Sequence, residues 1–202
     1  MDALDAATVK TAMKDPSPGV RENAAKLSER FPDCLPQLQE MVNDPSIRVA
    51  FQATLSLGQF KEPSVIPALV KALELHGQNS WFRTAVLSSE AGSCIDLLKT
   101  LEKNSFFKDA PSWKLEFLET ASHIIGARNV KSQVSDVLRL LGQPSLSHTT
   151  DWQSASIKGL LKGLEKSEGL EASLKEKLKI ISSEAKNNAP KAIKDLKEWY
   201  AQ

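Results

Sequence analysis

Apolar residues recur at helical spacing along the chain, most clearly between Val49 and Phe60. Val49, Ala53, Leu57 and Phe60 fall at i, i+4, i+8 and i+11 and draw one stripe. Phe51 and Leu55 draw a second, so the spacing predicts a helix buried on two sides. Ahead of it, Asp44 can accept from the free amides of a helix start and Pro45 suits a first turn. Gly58 helps to end the helix, Pro63 opens the next segment, and Ile66, Leu69, Val70 and Leu73 keep the spacing. Trp113, Phe117, Ala121 and Ile124 form a later stripe, and Val130, Val134, Val137, Leu138 and Leu141 another. Gln143 to Thr150, around Pro144, reads as a polar loop. Beyond it come Ile157, Leu160, Leu161 and Leu164, then Leu170, Leu174, Leu178 and Ile181, a break at Pro190, and Ile193, Leu196 and Tyr200. The pattern predicts about twelve helices in six antiparallel pairs, with no segment reading as a strand.

The chain also resembles itself. Asp15, Pro16, Ser17, Val20, Ala24 and Phe31 return as Asp44, Pro45, Ser46, Val49, Ala53 and Phe60 at an offset of 29. Pro32, Leu35, Pro36 and Leu38 return as Pro63, Ile66, Pro67 and Leu69 at an offset of 31. A weaker third copy sets Trp81 and Ala85 on Val49 and Ala53, which places Trp81 in the core, and Ile95 and Leu98 on Ile66 and Leu69. A unit of about 30 residues holding two periodic segments is a helix pair, and stacked pairs share a continuous core. The predicted fold is therefore all-α, an α-α superhelix forming a single domain over 1–202. Its repeats are clear over 15–101 and more divergent over 110–202. The competing reading is an irregular helical bundle.

The repeat resembles the HEAT family, whose pattern has an Asp in the loop, a Val five residues on and an Arg directly after. Asp15, Val20 and Arg21 fit all three positions; Asp44 and Val49 fit two, with Ala50 where the Arg would stand. In that family Asp and Arg form a ladder along the stack, so the resemblance implies a broken ladder here. It also implies a right-handed solenoid with second helices lining the concave side. A narrower resemblance rests on Val49 to Gly58, Ala85 to Ser89, Phe117 to Gly126 and Trp152 to Gly163. These stretches are similar to the HEAT-repeat region of PVC-type haem-binding CxxCH proteins, modular exported bacterial proteins. There a dehydrogenase-related part precedes the repeats and a c-type cytochrome follows.

Composition narrows the picture further. Leu (26 residues) outnumbers Val and Ile together (19), which favours helix over sheet. Lys and Arg number 26 against 25 Asp and Glu, without the basic excess that nucleic-acid binding uses, so no nucleic-acid partner is expected. No apolar run reaches the roughly 18 residues of a membrane span, and Met1 to Lys14 is no secretion signal. The chain as written fits the cytosol; as a fragment of the resembled family it would be exported.

The cysteines are Cys34 and Cys94, with no Cys-x-x-Cys-His, so no cofactor is expected in this chain and any haem belongs elsewhere in a parent protein. Cys34 aligns with Val65, and Cys94 precedes Ile95 as Val65 precedes Ile66. Equivalent positions two repeats apart lie roughly 20 Å from one another, too far for a disulfide, so both are predicted to be free thiols. His76, His123 and His148 include no i, i+4 pair and no metal-site spacing. Gly159 and Gly163 make a Gly-x-x-x-Gly, read as the close approach of a neighbouring helix.

With no clustered nucleophile, base or metal ligand, the predicted function is a non-catalytic interaction scaffold, expected to be monomeric. Its partner would be another protein or a neighbouring domain of a larger oxidoreductase-like protein. Candidate partner-binding residues are Glu40, Lys71, Glu74, Lys99 and Lys103 on the second helices, with Phe106 and Phe107 in a loop, one of them expected to be exposed. The alternative is a DNA-binding enzyme like the HEAT-like alkylpurine DNA glycosylases, using Trp81, Trp113 and Trp152 with Asp109 or Asp151. A third reading is a role like that of phycobilin lyases or assembly chaperones.

Overall fold

The computed structural model describes residues 4–89, 95–104, 106–142, 150–167, 172–185 and 187–201. Cys94, His148, Leu170 and most of the Gln143–Thr150 loop lie outside the described residues. The described chain is all-α, with twelve α-helices, short 3₁₀ turns and no strand. It divides into two compact units, Met1–Thr100 and Leu101–Gln202.

The first unit contains α1 (Ala6–Ala12), α2 (Pro18–Leu27), α3 (Leu35–Glu40), α4 (Ile47–Leu57), α5 (Ile66–His76), α6 (Ser80–Ser88) and most of α7 (Ile95–Lys103). First helices α2, α4 and α6 stack on one another, while the second helices α1, α3 and α5 pack against the first helix that follows each of them. Arg21, Glu22 and Glu29 of the α2 segment meet Asp44, Arg48 and Ser56 of the α4 segment, so these two helices run parallel. Polar side chains tie the second-helix layer together: Gln37 donates to Lys10 O and Gln39 to Ser64 O. The stripe Val49, Ala53, Leu57 and Phe60 is buried as its spacing predicts, and Phe51 on the second stripe sets its ring edge-on to Phe82 at 5.4 Å.

Helix starts fall slightly later than the sequence suggests. Ser17, Ser46 and Asn79 occupy the cap positions, and Asp15 and Asp44 stand two residues earlier. There each carboxylate accepts the cap residue's own amide, Ser17 N at 2.7 Å and Ser46 N at 2.8 Å, which turns the chain into the helix. Pro45 therefore precedes α4 instead of opening it. The caps are 29 and then 33 residues apart, so the third repeat is one residue out of the register that set Trp81 on Val49. Phe82 takes the core position, 1% exposed, and Trp81 stands outside at 69%, correcting the core assignment. Gly19 and Arg48 share Trp81's position two residues past the cap, and both are also exposed.

The second unit holds the remainder of α7, then α8 (Ser112–Arg128), α9 (Lys131–Leu141), α10 (Thr150–Lys166), α11 (Ala172–Ala185) and α12 (Ala189–Ala201). Its dominant contact is α8 against α10. A Cβ on Gly159 would lie 2.0 Å from Glu119 O, one on Gly163 2.2 Å from His123 O, and one on Gly126 2.3 Å from Leu160 O. The two backbones thus touch directly, along parallel helices, and the Gly-x-x-x-Gly does what its spacing suggests. Around this crossing α10 also meets α9, α11 and α12, and α12 packs on α9. At the end of α12, Tyr200 Oη donates to Asn129 Oδ1 at 2.7 Å, and Asn129 caps α8 with φ 49°.

Phe106 and Phe107 belong to this core and not to an exposed loop. They lie in a 3₁₀ turn, both buried, with Phe107 stacked on Trp152 at 5.5 Å and Phe106 edge-on to Trp113 and Phe117. Lys114 covers the turn: its Nζ bonds Phe106 O at 2.7 Å, pairs with Asp109 and sits 4.4 Å from the Phe106 ring centroid.

Three outcomes follow for stability. Gly163→Ala is expected to cost about 2–3 kcal/mol in urea denaturation, although alanine gains roughly 1 kcal/mol in helix propensity, because a backbone atom must move. Gly19→Ala, whose Cβ would meet nothing nearer than 3.8 Å, is expected to stabilise the chain by up to about 1 kcal/mol. Burial pushes the Tyr200 phenol up to about 12. Its folded value lies above the unfolded one, so stability should fall as pH rises from about 10 through 12, a decline Tyr200→Phe removes.

Candidate interaction surface

The polar interaction with the best geometry in the first unit is the Arg21 clamp. Arg21 Nε reaches Asp44 Oδ2 at 2.7 Å and its Nη2 reaches Oδ1 at 2.9 Å, a two-point pair with little exposure on either side. The same guanidinium donates through Nη1 to Asp15 O and Pro16 O, so one side chain joins the loop of its own repeat to the next. This pairing holds the Asp44 carboxyl below its ordinary value, hydrogen bonding from Arg21 outweighing burial. At the position one repeat on, Ala50 is fully buried and offers no donor, so the ladder breaks where the sequence implies. Arg83 makes the loop contacts that Arg21 makes in the first repeat: its Nη1 bonds Gly77 O at 2.8 Å and Gln78 O at 3.1 Å. The single-residue register error hid this arginine from sequence comparison.

The candidate binding residues fall in two groups. Glu40 and Lys71 are exposed at equivalent positions of successive second helices, α3 and α5. Lys71 pairs with Glu74 at 3.7 Å, and Lys99 with Asp96 at 3.7 Å. Lys99 is half-exposed where the preceding repeat buries Val70, and Lys103 is exposed in the last turn of α7. Such exposed pairs contribute only a few tenths of a kcal/mol each, so they leave a mixed-sign, hydrated face available to a partner. Phe106 and Phe107 are buried in the second unit's core, which corrects the expectation that one is exposed.

Reactive chemistry is sparse. Cys34 is a free, fully buried thiol whose Sγ approaches Ala6 O at 3.7 Å, and burial pushes it above its ordinary value, away from the nucleophilic thiolate. Among the described residues no group of three His, Cys, Asp or Glu could hold a metal ion. His76 lies against Phe82, ring centroids 4.4 Å apart, with its Nε2 buried and unbonded. Trp152 is buried against Phe107, and the exposed Asp109 pairs with Lys114. No helix among the described residues is long and apolar enough to cross a membrane.

What the sequence reading assigned to the core is Trp81, the most exposed of the large apolar residues in the described chain. Its neighbours were visible as Trp-Phe-Arg, a composition typical of binding hot spots, but only the cap positions reveal which aromatic faces out.

Residues 6–89 match the family model of HEAT repeats. The match begins with α1 and runs through α6, so the Arg21–Asp44 clamp and Trp81 both lie inside the HEAT-type segment. No curated protein and no solved structure matches the chain significantly.

Arg21→Ala is expected to cost about 2 kcal/mol, since hydrogen bonds to a charged group are lost and Asp44 is left under-paired; Arg21→Lys restores only part. Asp44 titrates lower in the folded chain than unfolded, so the stability it contributes is present above its unfolded value and lost as pH falls through the folded one. The gap between the native chain and Arg21→Ala in denaturation midpoints should therefore narrow as pH is lowered from about 6 toward 2.

Proposed function

We propose that this chain is a non-catalytic scaffold that binds another protein through its stacked helix pairs. The observation that carries the proposal is the exposed Trp81 on the row of stacked first helices, within a HEAT-type segment in which no metal-binding group is found among the described residues. HEAT repeats commonly serve as scaffold and interaction elements, and an exposed tryptophan supplies large contact area at small entropic cost. Glu40, Lys71, Glu74 and Lys99 offer further polar side chains for the same role, as does Lys103 in the second unit. The finer placement, as the repeat segment of a modular oxidoreductase-like protein with a separate c-type cytochrome, follows from the resemblance of residues 49–58, 85–89, 117–126 and 152–163. A Cys-x-x-Cys-His beyond Gln202 in the native gene is its test.

A photo-reactive amino acid at position 81 is expected to cross-link a specific protein that the same group at the exposed Lys108 does not. Trp81→Ala should then weaken that purified partner's binding at least tenfold with an unchanged thermal midpoint. Turnover of a substrate by the purified chain, abolished by one substitution, would overturn the scaffold reading. Binding of labelled duplex DNA with a steep salt dependence would favour the glycosylase-like alternative.

A further inference from the structure

We draw no further inference here: the strongest candidate, the exposed surface patch around Trp81 at the start of α6, belongs to the interaction surface already described, and nothing in the structure shows what covers it.

Discussion

Each first helix in the N-terminal unit has two flanks to cover, and no single helix pair can cover both. That constraint generates the repeat. A short amphipathic helix is marginal alone in water, since nucleating it fixes several residues for one hydrogen bond. α2 spans ten residues and α3 six, so neither gains much from local propensity. What holds them is burial against the next pair, at roughly 1.5–3 kcal/mol for each large apolar side chain removed from water. The requirement to bury one flank on a neighbour therefore decides which residues are apolar, where the loops turn and how far apart the caps lie.

The Arg21 clamp acts on register more than on net stability. Stacked apolar stripes of Val and Ala slide past one another at small cost. A planar guanidinium that must meet two carboxylate oxygens and two loop carbonyls at once does not. Where Ala50 replaces this device, position is set by packing instead, through the edge-on contact of Phe51 with Phe82. In the second unit the same task falls to glycine. Direct backbone contact at Gly126, Gly159 and Gly163 permits only one rotation and one depth for α8 against α10. A charged clamp and a steric notch are different answers to one problem, which is how to give a greasy interface a unique alignment.

Most of the architecture was legible because stripes and caps are local. Asp15, Asp44, Val20, Val49 and Arg21 announce the first two repeats outright, and Gly159 and Gly163 announce a close crossing. The failures share a cause. Trp81 and Phe82 are adjacent aromatics, either of which satisfies an apolar position, so only the cap at Asn79 tells which one turns inward. Phe106 and Phe107 follow Asn104 and Ser105, residues that signal a loop. Their burial depends on Trp113, Phe117 and Trp152, which are distant in sequence, and no local pattern contains that information. Val20 looks like core by its repeat, yet it is 40% exposed while Val49 is fully buried.

The clearest shifts in proton affinity trace to the fold itself. A catalytic site needs titratable groups held in mutual reach with shifted proton affinities, and here the clear shifts have structural explanations. Asp44 is lowered by a clamp between repeats, Asp109 by Lys114, and Cys34 is raised by burial in the core. Such groups are spent on holding the fold. What is left accessible in the first unit is apolar area in places where a monomer gains nothing from it: an indole on the row of stacked first helices, and the partly exposed Val20 and Leu27 of α2. Apolar surface costs solubility, and single exposed residues are ordinary on any protein. An indole at 69% exposure, in a stretch where Trp, Phe and Arg stand together, is the exposure that the proposed scaffold role accounts for.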